Sequence, residues 1–302
     1  MSIQPPSEAD RALRYALARD AYDKRRIRVV DRDVRGCDVF VATKKGLFAA
    51  SRSGVRRLIW GLFFGVTGHE GQIYLFENGD DPARRSHMGR ILRFRIEGDE
   101  LTDETVFAEG LSNGCHQLAV IDGLLCVVDT IAQAVVRLRL DGTLADVKEP
   151  VPFSPECGGD GLHRHMNSIA KVGDRVALVL HNGDANEASE LVWVDRDWRV
   201  VERQRLPGYH CHDILALPDG TIWHCGSLDG EVISSRGDRI KLTDRMTRGL
   251  LATAHGFVVG TSLFGSRAVR DGLSGSIMYL DANFRKLAEI ECPGAPTDLL
   301  LI

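Results

Sequence analysis

One short pattern recurs six times from residue 60 to the C-terminus and limits the fold more than any other feature. Two residues, mostly polar or small, precede a Leu or Ile. The six copies are Trp60-Gly61-Leu62, His116-Gln117-Leu118, Asn167-Ser168-Ile169, His212-Asp213-Ile214, Arg248-Gly249-Leu250 and Thr297-Asp298-Leu299. Their Leu/Ile anchors stand 56, 51, 45, 36 and 49 residues apart. Short β-type runs fill the intervals, as in 117–121, the turn Asp122-Gly123, 124–128, a break, 134–140 and the turn Asp141-Gly142. Runs bounded by Asp-Gly turns read as hairpins in series. A period of roughly 40–50 residues with four strands per unit is that of a propeller blade.

The last anchor lies so near the C-terminus that only one strand fits after it. Three strands without a blade are available at the other end, in 38–43, 47–50 and 55–58. The expectation is an all-β, six-bladed propeller, closed by N- and C-terminal strands in one blade, which removes the free edge of the ring. The short 36-residue unit leaves five and seven as the neighbouring counts. Glycine, 31 of 302 residues, exceeds the usual share of roughly 7% and fits a fold built of turns.

Residues 1–36 read as a helical extension and 37–302 as the propeller domain. Ser7 with Asp10 suits a helix start, and Ala9, Leu13, Ala16, Leu17 and Ala21 follow at helical spacing, predicting one helix from Glu8 to about Lys24. Its apolar face is mostly Ala, too weak for a membrane-surface helix and suited to packing on the domain. No apolar run is long enough to span a bilayer. The net charge of −4 gives no reason to expect nucleic acid. Seven widely spaced cysteines without a CxxC pair argue against a disulfide framework and a zinc knuckle. With no apolar leader at the N-terminus, the reading is a reducing cytoplasm.

In a propeller the first strand of each blade lines the central channel. The residue two before each anchor then stands near one mouth: Trp60, His116, Asn167, His212, Arg248 and Thr297. The next ring holds Gly61, Gln117, Ser168, Asp213, Gly249 and Asp298. His163, His165 and His210 share this face, and His181 and His224, which end second strands, approach it. Imidazole is the commonest metal ligand, and His116, Asn167 and His212 come from three consecutive inner strands. The expected ligands of one ion at the axis are therefore His116, Asn167 and His212, with Asp213 or Asp298 to supply a carboxylate as ligand or as general base. Asp213 or His165 is the candidate base, and Arg248 the anchor for a carboxylate or phosphate. Three long loops, Glu77–Gly89, His181–Ser189 and Leu263–Gly275, rise on the same face as a candidate lid. They carry Arg84, Arg85, His87, Asp184, Asn186, Arg267 and Arg270. Asp129-Thr130 finds no catalytic company in the sequence. P-loop, GxGxxG, HExxH and GxSxG motifs are absent.

The head Asn167-Ser-Ile-Ala and the turn Pro218-Asp-Gly-Thr-Ile-Trp223 resemble six-bladed propellers of the gluconolactonase, senescence-marker and strictosidine-synthase-like group. In its lactonases, consecutive inner strands offer Asn, Asn and Asp to a divalent ion. The matching positions here are His116, Asn167 and His212, of which only Asn167 keeps the residue type. The histidines shift the implied ion from Ca toward Zn, Mn or Fe, and Asp298, one position off, is the carboxylate on offer. A second resemblance, over roughly residues 110–265, is to uncharacterised bacterial propeller proteins. It rests on His163-Arg-His-Met-Asn-Ser-Ile-Ala, the His210-rich head, Thr247-Arg-Gly-Leu and Val258-Val-Gly-Thr-Ser, and it implies no reaction.

The function expected from these residues is that of a metal-dependent enzyme acting on a small polar or anionic molecule at the channel mouth, with lactone or ester hydrolysis as the most familiar chemistry. Isomerase, lyase or oxygenase chemistry in the same histidine-rich site is the first alternative. A non-catalytic propeller that binds a protein or metabolite is the second.

Overall fold

The computed structural model describes residues 8–182, 187–265 and 272–302. Its strands form six sheets, five of four strands and one of five. Blades 1 to 5 take residues 63–111, 115–148, 166–205, 212–241 and 246–292 in chain order. The closing blade has the strand order Pro296–Leu301, Val39–Thr43, Gly46–Ser51, Gly54–Trp60 and Arg28–Val29. The C-terminal strand is innermost, with Val41 opposite Leu299 and Ala42 opposite Asp298. The six-blade count and the closure expected from the sequence are both present. The short strand Arg28–Val29 is an addition, pairing with the outer edge of that blade at Trp60 and Ile59.

Each seam between blades is filled by its own apolar cluster. Phe40, Phe63, Leu75 and Phe94 join the closing blade to blade 1, and Phe76, Cys115 and Leu125 join blades 1 and 2. The other four seams are built alike, ending with Phe48, Val258, Ile277 and Leu299 between blade 5 and the closing blade. Burying one such Phe or Leu contributes about 1.5–3 kcal/mol, so stability is spread around the ring.

The helix α1 (Glu8–Asp23) packs on the mouth side of blade 1, with Tyr15 and Ala18 on Leu62. Arg90, only 1% exposed, ties it down. The Arg90 guanidinium pairs with Glu77 at 2.7 Å and donates to the carbonyls of Ala21 and Arg26. The loop through Arg84, Arg85 and His87 is fastened to the same helix: Tyr22 Oη donates to the His87 carbonyl, and Arg11 pairs with Asp81. No helix among the described residues is long and apolar enough to cross a membrane. All seven cysteines are free.

Candidate functional site

The site is set by one backbone irregularity repeated six times. Near its start, each inner strand slips register against the second strand of its blade, for example between Phe63 and Val66, and between Thr247 and Leu250. Such bulges re-aim side chains. The residue two before each anchor is thereby placed at the mouth, and the next residue one step deeper.

The slip also corrects the first copy of the sequence pattern. In blade 1 the counterpart of His116-Gln117-Leu118 is Phe64-Gly65-Val66, not Trp60-Gly61-Leu62. Trp60 ends an outer strand, with the Arg28 guanidinium 4.7 Å over its ring. Gly61 and Leu62 are the crossing between blades, which carries the same small-then-Leu signal.

The deeper ring holds neighbouring inner strands together. Asp298 Oδ2 accepts from Val66 N at 3.0 Å, Gln117 Oε1 from Ile169 N at 2.7 Å, Ser168 Oγ from Asp213 N at 2.8 Å and Asp213 Oδ2 from Gly249 N at 2.7 Å. The two remaining positions are glycines because the neighbour comes too close for a side chain. A Cβ on Gly65 would lie 2.7 Å from Leu118 N, and one on Gly249 2.6 Å from Leu299 Cγ. Burial pushes the Asp213 carboxyl up, opposed by the Gly249 N–H and Arg248. Burial pushes Asp298 well up, and the neighbouring Asp213 adds to it.

The upper ring differs. Asn167 donates to the Cys211 carbonyl and accepts from Ser168 Oγ, and Thr297 Oγ1 lies against the carbonyls of Ala42, Phe63 and Phe64. His116 and His212 instead keep one nitrogen open. Thr130 Oγ1 gives its hydrogen to the Met166 carbonyl at 2.6 Å, so at 2.9 Å it accepts from His116 Nδ1. His212 Nδ1 donates to the His210 carbonyl at 2.7 Å, with Ser227 Oγ at 3.0 Å. Nδ1 therefore carries the hydrogen in both rings, which makes Nε2 the lone-pair nitrogen of the neutral form, and no hydrogen bond to it is made among the described residues. Register places Thr130 and Ser227 at the same point, just past the second strands of blades 2 and 4.

The two rings lie 6.4 Å apart, stacked at 20°. Burial holds both well below the ordinary imidazole range. The positive surroundings add to it, His165 and then Arg248 at His116, and Arg248 and then His181 at His212. Arg248 also bears on Asp213 and Asp298, so its charge is felt in both rings, after burial in each case. His165 stands edge-on 5.0 Å from His116, His181 lies 5.4 Å from His212, and His210 lies 4.0 Å from His181. His165, Asn182, His210 and Asp213 adopt left-handed φ between 49° and 62°. Such strain gathers where surrounding structure over-determines the backbone. His163 is engaged with the Thr130 carbonyl through Nε2. Asp184, Asn186, Arg267 and Arg270, expected on the loops above, lie outside the described residues.

The expected ligand set is therefore brought to one axis but not into one cage. Both amide atoms of Asn167 have protein partners, and the Asp298 oxygens accept from the Val66 and Leu299 backbone. Among the described residues no three His, Cys, Asp or Glu side chains are disposed to hold a metal ion. The chemistry of two Nε2 lone pairs suits an ion, and the geometry supplies no third donor. A cleft of about 530 Å³ opens off the axis, on the outer strands of blade 3. Its Arg164, Glu190 and Arg203 are already paired with acidic or basic neighbours.

No protein-family model and no curated protein matches this chain. Solved structures share its fold. A chain of a nidogen/laminin complex aligns over 88% of this chain and 98% of its own at 9% identity, with a TM-score of 0.60. A protein of unknown function from Bacteroides caccae aligns over 88% and 99% at 11% identity, TM-score 0.56. Streptogramin B lyase aligns more loosely, over 76% and 69% at 13% identity, TM-score 0.48. At such identities the likeness is of fold alone: the chain is a six-bladed propeller, and its chemistry must be argued from its own residues.

Proposed function

We propose that this propeller is an enzyme acting on a small anionic molecule at the histidine mouth of the channel, by proton transfer at His116 and His212. One observation carries the proposal: two neutral, tautomer-locked imidazoles present Nε2 to the same axis beside Arg248. A general base needs a lone pair fixed in direction and neutral at working pH. In ester or lactone hydrolysis, one Nε2 takes a proton from water as the water oxygen bonds to the carbonyl carbon. The proton passes to the leaving alkoxide as the C–O bond breaks. Arg248 binds the substrate's carboxylate or phosphate. The same base serves proton removal beside a carbonyl, the opening step of an isomerase or lyase.

His165 is the candidate to relay the proton, since its ring meets that of His116. Asp213 supports Gly249, the neighbour of Arg248, rather than acting as base. A divalent Zn, Mn or Fe ion is a separate proposal. His116 and His212 offer two donors to it, His165 or His181 would supply the third by rotating, and no step above passes through it.

The test is turnover of aryl-ester and lactone panels, with proton–deuterium exchange of α-keto and α-hydroxy acids, alongside elemental analysis of the purified protein. Expected is an activity lost by at least a hundredfold in His116→Ala or His212→Ala and weakened in KM by Arg248→Lys. Activity unchanged in both histidine variants sinks the base assignment. No turnover in any panel favours the non-catalytic binder, which the purely structural deeper ring would equally suit.

A further inference from the structure

The connection between blades 2 and 3 stands at the histidine mouth. It leads from the outer strand Leu144–Lys148 to the inner strand Met166–Val172. One side chain pins both of its ends. Gln133 is fully buried. Its Nε2 donates to the Val151 carbonyl at 2.8 Å, and its Oε1 accepts from Arg164 N. The Gln133 backbone is left-handed, with φ of 56°, a conformation that persists only where the surroundings impose it. Residues 152–163 thus form a surface loop with its ends held together, the Ω-loop pattern that often carries function.

The loop is a unit held by its own bonds. Ser154 Oγ caps the turn Pro155–Cys157 by accepting from Glu156 N. Cys157 N and Gly159 N donate to the Ser154 carbonyl, and Gly161 N to the Phe153 carbonyl. Residue 159 is glycine because a Cβ there would lie 2.3 Å from the Pro152 carbonyl oxygen. Such a loop can turn about its pinned ends and keep these bonds. Its polar make-up is broken by Phe153 and Leu162, which are 42% and 56% exposed. Exposed apolar side chains standing singly need no explanation. These two lead to the histidines. Phe153 meets the His163 ring edge-on at 6.0 Å, His163 meets His165 at 5.9 Å, and His165 meets His116 at 5.0 Å. Leu162 adjoins His163 in the chain. His163 Nε2 donates to the Thr130 carbonyl at 2.6 Å, and Thr130 Oγ1 orients His116. One residue therefore fixes both the root of the loop and the direction of the His116 ring.

We propose that loop 152–163 is a lid that folds onto the mouth and receives the apolar part of its ligand, a carboxylate bearing an aromatic or branched apolar group. The proposal rests on the reading that the mouth takes a small anion, and not on any catalysis there. The carboxylate would lie at the mouth, and Phe153 and Leu162 would cover the other end. The upper ring itself offers imidazole, guanidinium, amide and hydroxyl groups. Its one apolar member, Phe64, is only 4% exposed, with the Lys44 ammonium 5.0 Å over its ring. An apolar group therefore finds its seat on the loop rather than in the ring. Closing removes both exposed side chains from water, which favours the closed loop when apolar surface lies beneath it.

The experiment is calorimetric titration of the full chain with acetate and with phenylacetate. Alkylation of Cys157, exposed on the loop, is timed by peptide mapping in each acid. Phenylacetate is expected to bind at least about tenfold more tightly than acetate, less than full burial of one such ring would supply. It should slow Cys157 alkylation at least about threefold, and acetate should leave the rate unchanged. A double variant, Phe153→Ser with Leu162→Ser, should lose the preference and bind acetate as before. Both changes fall at exposed positions, so the variant keeps the fold. Equal binding of the two acids overturns the lid and leaves anion binding at the mouth standing. A preference that survives in the double variant, or a Cys157 rate that bound phenylacetate does not change, overturns the lid as well. Binding of neither acid overturns the lid and the anion reading together. Turnover lost or kept in His116→Ala bears on the proposed catalysis alone.

Discussion

The two rings of the channel carry side chains of similar polarity and use them in opposite ways. In the deeper ring each polar side chain ends on a backbone N–H of the next blade, and glycine stands where no side chain fits. In the upper ring, His116 and His212 are held from behind by Thr130 and by His210 and Ser227, so that their free nitrogens face inward. Polarity on a channel strand therefore says little about chemistry. The accounting of hydrogen bonds separates a side chain that holds the ring from one that is presented to a ligand. Asp298 and Asn167 look like ligands by type and are fastenings by connection.

If the deeper ring is structural, damage there must show first in stability. The largest effect is expected from deleting residues 296–302, which removes the innermost strand of the closing blade and Asp298 with it. The ring then has an open edge, and the product should be insoluble or lack a cooperative melting transition. An unchanged melting temperature would mean that strand pairing at Val41–Leu299 does not close the ring.

Asp298→Ala should come next. It leaves the N–H groups of Val66 and Leu299 buried without acceptors, at about 1–3 kcal/mol each. Asp298→Asn keeps one acceptor oxygen and should lose roughly half as much. Urea unfolding of the three proteins decides it, and equal stability of the Ala and Asn variants would contradict the bridging role. Gly249→Ala is expected to cost about 1–3 kcal/mol. The methyl meets Leu299 Cγ at 2.6 Å, and φ at 249 is +83°, a region costly for any residue with a Cβ.

The propeller, its count and its closure were legible because they rest on apolar periodicity and turn residues, which are local signals. The upper ring was legible in five of six blades. It failed at Trp60 because the ring position is defined by a register slip, while the small-then-Leu signal also fits a tight crossing between blades. Thr130 and Ser227 were missed as the groups that orient the histidines. Their signal was present, since each directly follows a second strand in a blade whose upper-ring residue is histidine. It has meaning only once the register is known. The fastening of Asn167 was not legible at all, because its partner, the Cys211 carbonyl, belongs to a backbone 44 residues away.

The smallest effect at neutral pH, and the one that sharpens the contrast most, concerns His116. It is a mouth residue with one hydroxyl contact, so His116→Asn should change stability at pH 8 by only about 1 kcal/mol. Acid should separate the proteins. Burial and nearby positive groups favour neutral His116 in the folded chain, whereas in the unfolded chain it titrates near 6.5. Below that pH the unfolded state binds the extra proton, so the stabilisation present above about pH 6.5 is lost as pH falls. The slope is at most about 1.4 kcal/mol per pH unit per histidine. His212 and His224, also depressed by burial, add to the acid sensitivity of both proteins, and because His116 bears on His212 the difference between them reads residue 116 together with that coupling. Between pH 8 and pH 5 the wild type should lose about 2 kcal/mol more than His116→Asn. Chemical unfolding across that range measures it. Parallel curves would mean that His116 is solvated and protonates freely, which would remove the locked, neutral base on which the upper ring's chemistry depends.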